Sequence, residues 1–138
     1  MRSLVTGAKG FIGSHLVKHL NDPIECDIKK GLGVWSPDEI DIHFKDIDTV
    51  YHLGAISSTT ETNTHKIVEN NILLSCKLLE ECINRDIPFV YASSASVYGL
   101  GEHGFSENSL MTPLNYYAIS KASLDTIVLQ KIKDNPSS

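Results

Sequence analysis

The chain has 138 residues, of which 41% are apolar and 21% are charged, and its formal net charge is −5. This composition is typical of one globular domain with one core. The acidic balance and the scattered basic residues argue against a nucleic-acid partner, and no apolar run is long enough to span a bilayer. Three cysteines without CxxC spacing indicate reduced thiols and no metal site, so we expect a cytoplasmic protein.

Predicted strands alternate with predicted helices along the sequence. Apolar runs predict strands at 3–6, 23–27, 48–53 and 87–92, and a weaker strand at 40–44. This alternation predicts an α/β fold, a Rossmann-like doubly wound parallel sheet of about five strands with helices on both faces. We assign residues 1–133 to this domain and residues 134–138 to a frayed tail.

Helical spacing of apolar residues predicts three helices, over 11–20, over 61–84 and from Asn115 onwards. Ser58 and Glu61 have the spacing of a capping box for the second helix. A loop rich in Gly, Ser and Asn connects 93 to 114. His15 and His19 are four residues apart on the first helix, but the sequence offers no third ligand, which favours solvated histidines over a zinc site.

A glycine-rich turn, TGAKGFIG, lies between the first strand and the first helix. Gly7 would allow a tight turn, Gly10 would let the backbone approach a pyrophosphate, and Gly13 would let the helix pack closely on the sheet. Asp27 ends the next strand, where it can accept hydrogen bonds from a ribose diol. The alternative is a glycine turn with an unrelated acid, but the order strand, turn and helix favours a dinucleotide site.

A second candidate segment, HLGAIS at 52–57, follows the strand at 48–53. Ligands of open α/β sheets bind at the carboxyl ends of the strands. The small residues Gly54 and Ala55 would let a nucleotide approach the backbone, with Leu53 and Ser57 beside them. An ordinary turn of small residues explains this segment equally well when it is considered alone.

A third candidate combines the segment YASSASVYG with the start of the last helix. Tyr117 and Lys121 are four residues apart and share a helix face, whereas Tyr116 points elsewhere. Ser94 could hydrogen-bond a substrate hydroxyl undergoing oxidation, and Tyr117 could remove its proton. Lys121 would favour the phenolate and could hold the ribose of a cofactor. A YxxxK pattern alone also arises by chance on an amphipathic helix.

Four segments, TGAKGFIGSHL, VYHLGAISSTTE, FVYASSASVYG and YYAISK, together resemble the extended short-chain dehydrogenase/reductase family, in its nucleotide-sugar epimerase/dehydratase branch. The stretches SSTTE and IPFVYASSASVYG are most similar to ADP-heptose 6-epimerases. The resemblance implies an NAD- or NADP-dependent epimerase that transiently oxidises a sugar hydroxyl of a nucleotide sugar. Asp27 favours NAD by repelling a 2′-phosphate, although Lys29 and Lys30 could clamp one.

The resemblance also implies roles for single residues. Phe11 and Ile12 would line the pyrophosphate turn, and Asp27 would hold the adenosine ribose. Other residues expected beside the cofactor are Leu53, Gly54, Ala55, Ser57, Asn70, Tyr117 and Lys121. The implied catalytic set is Ser94, Tyr117 and Lys121, with Tyr116 as a packing or substrate-side residue.

The residues that follow Ser94 narrow the reaction that the resemblance implies. In 4,6-dehydratases of this family an Asp–Glu pair follows the catalytic hydroxyl residue, whereas Ala95 and Ser96 stand at these positions here. Epimerisation through a transient keto sugar therefore fits better than elimination of water. The alternatives are a non-catalytic dinucleotide-binding module or half of a two-chain assembly, and a remnant that binds nothing.

Members of the resembled family continue well past the YxxxK helix, with further strands and a domain that holds the sugar nucleotide. We therefore expect this chain to be an N-terminal portion or a short form that lacks the C-terminal substrate domain. The strand at 87–92 would then have an unpaired edge without a protecting lysine. Such edges recruit other chains, so we expect a homo-oligomer, a complementary C-terminal chain or aggregation.

Overall fold

The structure is a computed structural model that describes residues 1–27 and 44–135. The described strands are Ser3–Thr6 (β1), Ile24–Cys26 (β2), Thr49–His52 (β3) and Phe89–Tyr91 (β4). They form one parallel sheet in the order β2-β1-β3-β4. The α/β class and the four main strands predicted from the sequence are thus confirmed. The weak strand expected at 40–44 lies outside the described residues except for Phe44, which is in a turn.

The helices are Phe11–Leu16 (α1), Thr64–Ile67 (α2), Leu74–Asn84 (α3) and Tyr116–Asp134 (α4). A 3₁₀ turn at Val17–His19 extends α1, and a π-helical segment at Val68–Leu73 joins α2 to α3, so helical backbone is continuous over 64–84. The loop predicted after β4 contains a 3₁₀ turn at Ala95–Tyr98. Of the expected tail, Asp134 still belongs to α4, and residues 136–138 lie outside the described residues.

The capping box predicted from Ser58 and Glu61 is wrong. The helix begins at Thr64, and the side chain of Asn63 caps it by accepting a hydrogen bond from the Lys66 amide at 3.1 Å. Asn is as good an N-cap as Ser. The Glu61 carboxylate instead accepts the Asn63 amide hydrogen at 3.0 Å and pairs with the Lys66 ammonium at 3.2 Å. Both bonds lower the pKa of the Glu61 carboxyl below its usual value, and the hydrogen bond from the Asn63 amide has the larger effect.

Two compact units make up the described chain. The first comprises the described residues of Met1–Ala55 together with Lys77–Ala92, and it contains the whole sheet. Its most deeply buried apolar side chains, each at most 1% exposed, are Leu4, Val5, Ala8, Val50, Leu78 and Cys82. The second comprises Ile56–Cys76 and the residues from Ser93 onwards, including α4. Its interior is partly polar, since it buries Asn71, Ser75, Ser120 and Lys121 as well as Ile67, Val97 and Leu124.

Strand β4 has a neighbour on one side only among the described strands. Its central side chain, Val90, is 48% exposed. The self-association expected from an open edge at this strand stays a prediction. Within the described residues, no helix is both long and apolar enough to cross a membrane.

Candidate functional site

The glycine turn packs against the backbone that follows β3. Gly7 has φ +68°, and a Cβ atom there would lie 2.7 Å from the Gly54 nitrogen and 2.9 Å from the Leu53 carbonyl carbon. A Cβ at Gly13 would overlap the carbonyl oxygen of Gly7. The packing of the chain itself therefore requires glycine at positions 7 and 13.

Gly10 is less crowded than Gly7 and Gly13. Among the described residues, a Cβ there would contact only the Gly7 carbonyl oxygen, at 3.2 Å. The next two side chains, Phe11 and Ile12, are apolar yet 85% and 61% exposed. A single contact at Gly10 among the described residues, with exposed apolar side chains beside it, fits a ligand that approaches the backbone of the turn. On this observation, the turn fits the pyrophosphate of a dinucleotide.

Asp27 is tied to the same turn. Its carboxylate accepts a hydrogen bond from the Lys9 amide at 2.9 Å, and the Ala8 amide donates to the Cys26 carbonyl at 3.2 Å. The Lys9 ammonium pairs with the Glu25 carboxylate. These bonds place the acid predicted to hold a ribose directly beside the glycine turn. Burial raises the pKa of the neighbouring Cys26 thiol to about 11, so this group stays neutral near pH 7.

Sequence reasoning missed a buried polar pair below the turn. Thr6 and His52 are aligned partners on β1 and β3, and their Oγ1 and Nδ1 atoms lie 2.6 Å apart. The Thr6 hydroxyl also accepts the Gly54 amide hydrogen at 3.1 Å. The pair thus helps to hold the predicted segment at 53–55 against the Gly7 turn. Polar residues in register at the carboxyl ends of two buried strands were the signal that could have identified it.

In the second unit, Asn71 is the centre of a buried hydrogen-bond network. Its side chain accepts the Ile56 amide hydrogen at 2.7 Å and donates to the Ile56 carbonyl at 3.0 Å and to the Ser120 hydroxyl at 3.0 Å. Ser120 in turn donates to the Tyr117 carbonyl at 2.7 Å. The network connects the segment after residue 55 to the helix that carries Tyr117. The neighbouring Asn70, which the resemblance places beside the cofactor, donates its side-chain amide to the Lys66 carbonyl of its own helix, and its role at the cofactor stays a prediction.

The three predicted catalytic residues all lie in the second unit. Ser94 caps the 3₁₀ turn by accepting the Ser96 amide hydrogen at 3.2 Å, and its hydroxyl lies 2.8 Å from that of Ser96. The preceding residue, Ser93, donates to the Asp125 carboxylate at 2.6 Å. Asp125 is one helical turn beyond Lys121, on the face that also carries Tyr117. This bond brings the segment that contains Ser94 to the predicted face of α4.

The exposure of the α4 side chains follows the predicted register. Tyr116 is 52% exposed, Tyr117 is half-buried, and Lys121 is only 4% exposed. Burial lowers the pKa of the Lys121 ammonium, and the negative charge of Asp125 opposes this shift. A buried lysine and a half-buried tyrosine on the same helix face can form a proton-transfer pair of fixed geometry.

An open pocket of about 440 Å³ lies beside Tyr116. Its lining comes from one short segment and from the start of α4, namely Thr59, Thr60, Glu61, Thr62, Leu114, Asn115, Tyr116 and Ile119. Tyr117 and Lys121 are not part of this lining. The two adjacent tyrosines therefore face different surroundings.

Replacing Asn71 with Leu should destabilise the protein by about 3 kcal/mol, because two backbone groups of Ile56 would lose their partner in a buried site. The adjacent Asn70→Leu is the matched control and should cost less than about 1 kcal/mol, because that side chain bonds only within its own helix. Urea unfolding of both variants measures the difference. Equal losses would contradict the assignment of Asn71 to the buried network.

The comparison with protein families identifies one match. The family model described as "NAD dependent epimerase/dehydratase family" matches residues 3–135 of this chain. This match includes the glycine turn, both tyrosines of α4 and Lys121.

Solved structures with similar folds include two epimerases and a protein that is bound to NAD and UDP-glucose. MoeE5 in complex with UDP-glucose and NAD is 30% identical at a TM-score of 0.80, covering 94% of this chain and 48% of that one. The UDP-glucuronic acid 4-epimerase of Bacillus cereus in complex with NAD is 30% identical at a TM-score of 0.79, covering 96% and 53%. The Helicobacter pylori ADP-L-glycero-D-manno-heptose-6-epimerase is 27% identical at a TM-score of 0.76, covering 94% and 51%. The chain spans about half the length of these proteins.

Proposed function

Because the chain belongs to the NAD-dependent epimerase/dehydratase family, we propose that it binds NAD and acts in the epimerisation of a nucleotide sugar. Membership confirms the family expected from the sequence. The observation that carries the proposal is the glycine turn, where Gly10, whose Cβ would meet one atom of the described residues, lies next to Lys9, which holds the Asp27 carboxylate in place. NAD bound in similar solved structures supports the choice of cofactor.

The residues of the first unit would bind the cofactor. The backbone of the turn at Gly10 would approach the pyrophosphate, with Phe11 and Ile12 covering it, and Asp27 would accept hydrogen bonds from the adenosine ribose. The segment at 53–55, which Thr6 and His52 hold against the turn, would lie beside the nucleotide. When bound, NAD supplies a reversible hydride acceptor for oxidation and reduction of a sugar hydroxyl.

The residues of the second unit would handle the proton. Tyr117 Oη would remove the proton of the sugar hydroxyl, and Ser94 Oγ would hydrogen-bond the same oxygen. The buried Lys121 ammonium would favour the phenolate form of Tyr117. Asn71 and Ser120 would keep the start of α4 in place, since Ser120 bonds the Tyr117 carbonyl. Returning the hydride to the other face of the keto sugar would complete an epimerisation.

Epimerisation is proposed over dehydration because Ala95 and Ser96 stand where 4,6-dehydratases carry carboxylates. Elimination of water needs an acid for the leaving hydroxyl, and neither residue supplies one. The proposed substrate class is a nucleoside diphosphate sugar, supported by MoeE5, which is solved with UDP-glucose and with UDP-glucuronic acid. A second candidate function is a dinucleotide-binding module without catalysis of its own, because the residues proposed to bind the pyrophosphate and the ribose, Gly10 and Asp27, lie together in the first unit.

The proposal predicts that Gly10→Val weakens NADH binding at least about tenfold, because the added side chain would occupy the space of the pyrophosphate. Fluorescence titration of NADH measures the two dissociation constants. Lys18→Val, which introduces the same side chain at an exposed position after α1, should bind NADH like the wild type. Equal binding by the wild type and Gly10→Val would overturn the proposed cofactor site.

A further inference from the structure

Two acidic residues, one in β2 and one directly after it, contact Lys9 at its backbone amide and at its side-chain ammonium. Its amide donates to Asp27 at 2.9 Å, and its ammonium forms an ion pair with Glu25. Glu25 lies in β2 and Asp27 directly follows this strand, and both carboxylates contact the same residue, Lys9. The side chains of Lys9 and Glu25 remain 36% and 33% exposed. The ammonium is therefore both neutralised and close to the surface of the glycine turn.

This arrangement bears on the choice between NAD and NADP. The two cofactors differ by a phosphate on the adenosine ribose, which adds a charge of about −2 and needs a cation nearby. Asp27 disfavours NADP, because its carboxylate repels that phosphate. Lys9 is the cation that the described residues place in contact with Asp27, and Glu25 already neutralises it. Lys29 and Lys30 lie outside the described residues.

We propose that Glu25 is a cofactor-specificity residue, which disfavours NADP by pairing with Lys9 and so withdrawing that cation from a ribose 2′-phosphate. The inference rests on the proposed function, since it concerns the same cofactor site. The reason is charge, because the formal charges of Lys9, Glu25 and Asp27 sum to −1, and these three residues together therefore disfavour a phosphate beside them. Without Glu25 the same group is neutral, and its ammonium is available for a charge-assisted hydrogen bond.

The test compares dissociation constants of NAD⁺ and NADP⁺, measured by calorimetry on the wild type, Glu25→Gln, Lys9→Gln and the double variant. The wild type should prefer NAD⁺. Glu25→Gln should tighten NADP⁺ binding about tenfold, the contribution of one hydrogen bond between charged groups, and change NAD⁺ binding less than about twofold. The gain should vanish in the double variant, because it requires the lysine. Lys9→Gln alone should not improve NADP⁺ binding.

Glu81→Gln is the matched control, because it removes one negative charge from an ion pair with Arg85 in the same unit without touching Lys9. It should leave the ratio of the two dissociation constants unchanged. An unchanged ratio in Glu25→Gln, in a variant that still binds NAD⁺, would overturn the role of Glu25 alone. A wild type that binds neither cofactor would overturn the proposed function and this inference with it.

Discussion

Tyr117→Phe should lower the turnover of a nucleotide sugar about a thousandfold, whereas Tyr116→Phe should lower it less than about threefold. Only Tyr117 shares a helix face with the buried Lys121, while Tyr116 is 52% exposed and lines the pocket formed with residues 59–62. Loss of the hydroxyl at 117 removes the group that we propose takes the proton from the sugar hydroxyl. Loss of the phenol at 116 removes a surface hydroxyl only.

Turnover is measured with UDP-glucose and UDP-glucuronic acid, the ligands of MoeE5 in its solved complexes. Because the chain spans about half the length of these proteins, the assay uses the chain alone and a chimera. The chimera carries the C-terminal half of the Bacillus cereus epimerase. Urea unfolding of both variants controls for loss of structure. A larger loss in Tyr116→Phe than in Tyr117→Phe would transfer the proton-transfer role to the other tyrosine.

Gly7→Ala should destabilise the protein by about 3 kcal/mol or more, from a strained backbone and a clash that cannot relax. The residue has φ +68°, and the new methyl group would lie 2.7 Å from the Gly54 nitrogen and 2.8 Å from its Cα. Both neighbours are backbone atoms of the segment after β3, which Thr6 also holds by a hydrogen bond. Removing the clash between the new methyl group and Gly54 would require the glycine turn and the segment after β3 to separate.

Gly10→Ala is the matched control for Gly7→Ala, with the same added atom in the same turn. It should cost less than about 1 kcal/mol, because its Cβ would contact only the Gly7 carbonyl oxygen, at 3.2 Å. Urea unfolding measures both free energies. Equal costs at the two positions would mean that the packing of Gly7 against Gly54 is not what requires glycine there.

The position of the helix cap shows a limit of local patterns. Ser58 and Asn63 both lie before the second helical stretch, and both Ser and Asn make good caps. Asn63 forms the cap in the structure, because the Glu61 carboxylate pairs with the Asn63 amide and the Lys66 ammonium at the start of the helix. Sequence spacing alone offered no way to decide which of the two caps would form.

The burial of Asn71 rather than Asn70 shows a second limit of local patterns, while the expected place of Asn70 beside the cofactor stays a prediction. Helical periodicity assigns faces on the assumption of 3.6 residues per turn. Both residues lie in the π-helical segment Val68–Leu73, where the wider turn shifts each following side chain around the axis. The inward residue, Asn71, is 1% exposed and bonds Ile56 and Ser120. The sequence carried no signal for this segment.

The sequence by itself determined the features that depend on neighbouring residues. Apolar runs and glycine positions predicted the strands and the turn, and the spacing of Tyr117 and Lys121 predicted their shared face, because strand and helix periods are properties of local backbone. Only the tertiary structure decided which distant groups meet. Gly7 against Gly54, Thr6 with His52, and Lys9 with Glu25 each join strands brought together by the sheet order β2-β1-β3. Such contacts depend on which strands are neighbours in the sheet, and the pattern within a single segment does not specify its neighbours.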